Sequence, residues 1–240
     1  ASLFHEDIGV THSQKPPRKP CDKMIWATLE GKEIALTRLQ AAVQQREHTG
    51  LVHRVALCDG AEALQQQLLE KLPDFTLILD FIHAYEYLWK AANALYHEDD
   101  PQRLTWVREQ TLSLLTGQTT TVIETLQQAA QQSHAPATSL KLQQIANYFE
   151  RNLPYMAYDD CLRQGWPIAS GVIEGACRHI VKDRMELSGM RWSQNGAEQL
   201  LRLRCVHDNG HWDTFWEYRR AQRLQPNSAN RDCSSLPLAA

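Results

Sequence analysis

The sequence predicts an α/β protein whose sheet is confined to the residues before position 83 and whose remainder is helical. Three observations carry this prediction. Apolar runs at 24–29, 52–58 and 75–79 are short enough for strands and alternate with segments of helical periodicity. From His83 onward, apolar residues recur only at helical spacing. Two of the apolar runs end on an aspartate, Asp59 and Asp80, as strands do where the chain turns at the carboxyl edge of a sheet.

In chain order, KPPRKP at 15–20 reads as a basic, Pro-rich surface loop. Met24–Leu29 reads as a strand and Glu30-Gly31-Lys32 as a turn. Ile34–Glu47 carries Ile34, Leu36, Leu39 and Val43 on a helical period. Val52–Cys58 is the second predicted strand, Ala61–Lys71 a helix, and Phe75–Leu79 the third strand. Short connections between these elements suit a βαβ arrangement. Helices are then expected at 83–96, 103–116, 119–132, 139–150 and 152–164. Asp100-Pro101 supplies an N-cap followed by Pro at the first helical position. The stretch Pro167–Ser193 opens with Ser170-Gly171, which suits a helix start, and Ile173, Ile180, Val181 and Met185 give it an apolar face. Glu174, Arg178 and Lys182 fall at i, i+4, i+8 and share one side. Helices at 196–206 and 212–224 follow. The tail from Pro226 is polar and Ser/Asn-rich, and is expected to be disordered.

Composition bounds the function. The chain has 240 residues, is 43% hydrophobic and carries a net charge of −3, so any nucleic-acid binding must rest on local basic patches. No apolar run is long enough to span a membrane, and Ala1–Val10 has no signal-peptide core. None of the six cysteines forms a C-x-x-C pair, which excludes a zinc ribbon or dithiol motif. Cys58, Cys177 and Cys205 lie in apolar patterns and are expected to be buried thiols, in keeping with a reducing cytoplasm. G-x-S-x-G, P-loop and G-x-G-x-x-G patterns are absent.

Strand-end aspartates together with a helix-borne glutamate are the ligand types of a two-metal phosphoryl-transfer site, which clamps attacking and leaving oxygens between two divalent ions. Asp59, with Gly60 behind it to turn the chain, and Glu174 are the candidates. Asp80-Phe81-Ile82-His83 offers a second pair; a structural reading, in which Asp80 caps the helix and His83 bonds within the turn, stands beside it. Arg178, Lys182, Arg184 and Arg191, with Trp192 nearby, are candidates for phosphate contact, and a solvated helix face explains them equally well.

Taken together, VALCDGAEALQ, LILDFIHAYEYLWKAANAL, NYFERNLPYMAYDDCL and GWPIASGVIEGACRHIVKDRMELSGMRWSQNGAEQLLRLR resemble the DDE transposases of bacterial insertion sequences, specifically the ISKra-type group. The resemblance covers about 54–218. It implies an RNase H-like core with a mixed sheet, of which 1–98 form a part. It implies a helical insertion at 99–166, C-terminal core helices carrying the catalytic Glu at 167–225, and a tail at 226–240. It implies metal-dependent DNA cleavage and strand transfer with two Mg²⁺ ions, Mn²⁺ being the alternative. Asp59 matches the family's second metal-binding Asp, Glu174 its catalytic Glu, and Asp80 with His83 its D-x-x-H signature. Implied partners are transposon ends, target DNA and further copies of the chain in a transposition complex, in the cytoplasm at the nucleoid. The first Asp of the triad and an N-terminal DNA-binding region are expected upstream of Ala1. The alternatives are a catalytically inactive remnant that binds DNA or a partner transposase, and another RNase H-like nuclease.

Overall fold

The computed structural model describes residues 23–46, 53–171, 175 and 177–224. The chain divides into two compact units, one containing 30–175 and the other 16–29 and 176–240. Most described residues are helical, and no helix among them is long and apolar enough to cross a membrane.

The first unit opens with α1 (Lys32–Gln45), followed by β1 (Val55–Cys58), α2 (Glu62–Lys71) and β2 (Thr76–Leu79). The two strands pair in parallel, Val55 opposite Thr76 and Cys58 opposite Leu79. Parallel neighbours need a crossover connection, which α2 provides. Among the described residues these two strands are the whole sheet. Five helices follow: α3 (Phe81–Leu95), α4 (Pro101–Leu115), α5 (Thr119–Gln132), α6 (Pro136–Asn152) and α7 (Tyr158–Arg163). A single helix expected at 152–164 is instead a 3₁₀ turn, Leu153–Tyr155, and then α7. Pro154, which has no N–H to donate, occupies the tight turn between α6 and α7.

Local chemistry explains the helix starts. Asp80 caps α3 by accepting the Ile82 N–H at 2.9 Å, and Asp100 caps α4 by accepting the Gln102 N–H at 2.8 Å ahead of Pro101. One hydrophobic cluster joins the sheet to the helices. Ile78 and Leu79 of β2 share it with Leu88 of α3, Leu114 of α4, Leu126 of α5, and Leu142 and Phe149 of α6. Tyr158 is wholly buried there, and its hydroxyl donates to the Leu79 carbonyl at 3.0 Å. A second, smaller cluster of Leu36, Cys58, Leu68, Leu72 and Leu77 binds α1 and α2 to the strands.

In the second unit, Arg178–Lys182 form a π-helical turn and Asp183–Met185 a short helical turn. Then come α8 (Gln194–Asp208), capped by the Ser193 hydroxyl on the Gly196 N–H, and α9 (Trp212–Leu224). Met24–Leu29, expected as a strand, joins no sheet among the described residues. Backbone groups of Ile25 and Leu29 bond instead to side chains of α8 and the residue after it. The Asn209 amide accepts from the Ile25 N–H at 2.8 Å and donates to the Ile25 carbonyl at 2.9 Å, and Glu198 accepts from the Leu29 N–H at 2.7 Å. Ile25 and Ala27 pack against Ile180, Leu201 and Cys205. Cys177, expected to be buried, is exposed; of the apolar face proposed for its helix, Ile180 alone is fully buried among the described residues.

Candidate active site

Asp59 and Asp80 follow directly on β1 and β2, and because the strands are parallel both stand at the same edge of the sheet. The Asp80 N–H donates to the Cys58 carbonyl at 2.8 Å, so the pairing runs to the very end of the strands. Neighbouring strands lie about 4.8 Å apart, which makes the two aspartates neighbours along the edge.

Their carboxylates differ in environment. Asp59 is exposed; one oxygen accepts the Ala61 N–H at 3.0 Å, and the other has no protein partner among the described residues. The turn behind it depends on Gly60, whose φ of 76° is in the left-handed region. A Cβ at Gly60 would fall 2.5 Å from the Tyr148 hydroxyl and 2.8 Å from Leu79 Cδ1, so glycine is required on steric grounds as well. The turn is pinned from α6: the Tyr148 hydroxyl donates to the Asp59 carbonyl at 3.2 Å and Arg151 Nη2 to the Gly60 carbonyl at 2.9 Å. Burial pushes the Tyr148 phenol up, so it stays a protonated donor throughout the neutral range.

Asp80 is buried, 2% exposed, and both its oxygens are engaged. One accepts the Ile82 N–H; the other accepts the Ser170 N–H at 3.1 Å and the Ser170 hydroxyl. Burial pushes its carboxyl up, opposed by the two N–H donors. The Phe81 N–H adds a bond to the Ile168 carbonyl at 2.9 Å. The chain at 168–170, four residues ahead of Glu174, is thus clasped to the end of β2. Ser170, which the sequence suggested as a simple helix start, has Asp80 as its partner. His83 sits in the first turn of α3, partly exposed, with Nδ1 3.5 Å from Glu86. Glu174 lies outside the described residues.

A cleft of about 750 Å³ opens beside Asp59, bounded by the β1–α2 turn, α3 and α6. Tyr87 and Tyr148 stack along it with centroids 3.8 Å apart and planes at 3°. No family model, curated protein or solved structure matches the chain. The geometry of the site therefore carries the functional reading together with the sequence motifs.

As a metal ligand Asp59 fits: it offers an exposed hard oxygen donor on a fixed turn, which suits Mg²⁺. Asp80 fits less well, since it is buried and both its oxygens already accept hydrogen bonds. Among the described residues no three His, Cys, Asp or Glu side chains converge on one point. The basic candidates lie in the second unit. Arg178 and Lys182 are exposed on the π-helical turn, Arg184 falls on the short helical turn after it, and Arg191 and Trp192 are exposed in the loop before α8. His179 on the same turn stands 3.8 Å from Asp208. Arg204 is used internally, donating to the Ile180 carbonyl at 3.0 Å and the His179 carbonyl at 2.7 Å, while Arg202 pairs with Glu198 at 2.8 Å.

Proposed function

We propose that this chain is catalytic region of a DDE transposase, cleaving and joining DNA strands at the ends of an insertion sequence. The observation that carries the reading is the sheet edge: two parallel strands each end on an aspartate, and the second aspartate holds the chain that leads to Glu174. In this reading β1, α2 and β2 belong to an RNase H-like core, the helices at 99–166 are its insertion, and 167–225 supply the catalytic Glu.

The roles then divide. Asp59 and Glu174 would hold two Mg²⁺ ions, or Mn²⁺, which when bound supply Lewis-acid stabilisation of charge on the transferring phosphoryl group. Asp80 acts through Ser170, as a positioning residue for the Glu174 segment. His83 stands one helical turn from Asp80 and faces the carboxylate of Glu86. Tyr148 and Arg151 hold the Asp59 turn by its carbonyls. Arg178, Lys182, Arg184 and Arg191, with Trp192, contact DNA phosphates in this reading, and the protein works at the nucleoid as an oligomer on transposon ends and target DNA.

The test is cleavage of transposon-end DNA with Mg²⁺ by a chain extended upstream, where the resemblance expects the first Asp. Glu174→Gln and Asp59→Asn keep shape but remove a negative ligand. Each is expected to lower cleavage by at least a hundredfold while leaving DNA binding within about threefold, because binding rests on phosphate neutralisation. Full cutting by either variant would remove that residue from the mechanism. An extended chain that binds ends but never cuts would mark a binding remnant instead.

A further inference from the structure

The cleft beside Asp59 has a lining that the proposed metal site does not use. Lys90 of α3 and Lys141 of α6 are exposed on it, and neither has a carboxylate partner among the described residues. Lys90 Nζ lies 4.0 Å from the centroid of Tyr87, and the Arg151 guanidinium lies 5.6 Å from that of Tyr148. The first contact holds the Lys90 ammonium on the Tyr87 face while its side chain stays exposed, whereas the Arg151 guanidinium is taken up by the Gly60 carbonyl and lies 3.9 Å from Glu62. The stacked tyrosines give the wall a rigid base, since both rings are fixed against each other and Tyr148 is bonded to the Asp59 turn. At about 750 Å³ the cleft is far larger than one phosphate ion and lies within the range of organic-ligand sites, about 300–1,000 Å³. Its lining is charged and amide-bearing, with Gln144 and Asn147 between the basic residues, which suits a charged, extended ligand more than an apolar one. Asp59 and Glu62 border the same space, so the anion must run along the basic wall of α3 and α6 and not across the β1–α2 turn.

We infer that this cleft takes the sugar–phosphate backbone of a DNA strand, with Lys90 and Lys141 each neutralising one phosphate, and leads that strand toward Asp59. The ligand class rests on the phosphoryl-transfer reading of Asp59; the cleft and its unpaired lysines stand without it. The assignment adds a DNA contact on the first unit to the basic residues of the second.

Fluorescence anisotropy with labelled single-stranded and duplex oligonucleotides, using the full chain, tests this. Lys90→Glu with Lys141→Glu is expected to weaken binding at least tenfold. The neutral pair Lys90→Gln with Lys141→Gln is expected to lower the salt slope for duplex by about 1.8, the share of two phosphate contacts. Lys23→Glu with Lys32→Glu, which changes net charge equally outside the cleft, is the control. Both lysine pairs are exposed, and circular dichroism confirms that each variant is folded. Unchanged affinity in the cleft variants, equal loss in the control, or competition by polyglutamate as effective as by DNA would overturn the inference. The two readings fail separately. Wild-type binding by the cleft variants, with cleavage still lost in Asp59→Asn, sinks the cleft alone. Lost binding with full cutting by Asp59→Asn sinks the metal site and leaves the cleft.

Discussion

At the residue scale, Asp80 shows how one carboxylate can serve three donors from two distant parts of the chain. Its cap on Ile82 was legible in the sequence, because an aspartate before an apolar helical run is a common helix start. Its bonds to Ser170 were not, because nothing in local pattern pairs residues that far apart. The buried carboxyl also predicts a pH effect. Its folded pKa is raised above the ordinary 3.8, so the folded state holds the proton more tightly than the unfolded one. Its contribution to stability is therefore full below about pH 4 and is lost as pH rises through the raised folded value. Urea unfolding at intervals from pH 4 to 7 should show the wild type losing stability across that window relative to Asp80→Asn, whose site does not titrate. Parallel curves for the two proteins would place the titration elsewhere.

At the element scale, Met24–Leu29 and α8 form a unit that periodicity alone misreads. The apolar run has strand-like composition, but a strand is defined by a partner, and here side chains take the partner's place. Glu198 is the centre of that arrangement: its carboxylate accepts from the Thr28 hydroxyl at 3.0 Å and 3.1 Å, from the Leu29 N–H at 2.7 Å and from Arg202 at 2.8 Å. Burial alone would push its carboxyl up, yet these donors hold it below the ordinary 4.5. A lowered folded value gives stability that is present above about pH 4.5 and lost as pH falls through it. Glu198→Gln is expected to cost about 1.5–3 kcal/mol at pH 7, the range for hydrogen bonds to charged groups. The difference from wild type should shrink below pH 4. Urea titrations at both pH values, read by tryptophan fluorescence, check this. By contrast 119–132 and 212–224 were legible to the residue, because strong turn signals bound them: Gly117 before the first, Gly210 and the Pro226 tail around the second. Cys177 misled for the same reason as Met24–Leu29, since an apolar pattern states what can be buried and not what is.

At the scale of the whole molecule, the first unit is governed by one core that runs from β2 through the helices. The alternation from 32 to 79 and the helices between 81 and 152 were readable from period, whereas the strand expected at 24–29 and the single helix expected at 152–164 were not found, and the edge that gathers Asp59, Asp80 and Ser170 required the fold. Leu126 is fully buried in that core. Leu126→Ala is expected to lower stability by about 2.7–5 kcal/mol, the transfer loss plus the cavity left behind. Its effect should reach the Asp59 turn through α6, so protection of the Ala61 amide from hydrogen exchange should fall along with global stability. An unchanged rate at Ala61 would show that the sheet edge is held independently of the helical layer.

The clasp between Asp80 and Ser170 joins positions 90 apart in sequence. Contacts of that separation cost loop-closure entropy that neighbouring helix pairs do not, and they slow folding. The α5–α6 hairpin, joined by only a short link and bonded from Ser139 to the Ala130 carbonyl at 2.7 Å, can form from contacts near in sequence. The natural order of assembly is thus helical layer first and clasp last. A half-folded chain would carry Asp59 at the end of its strand before the 168–170 segment was tethered to β2, so under the proposed function the reactive geometry would belong to the finished fold alone.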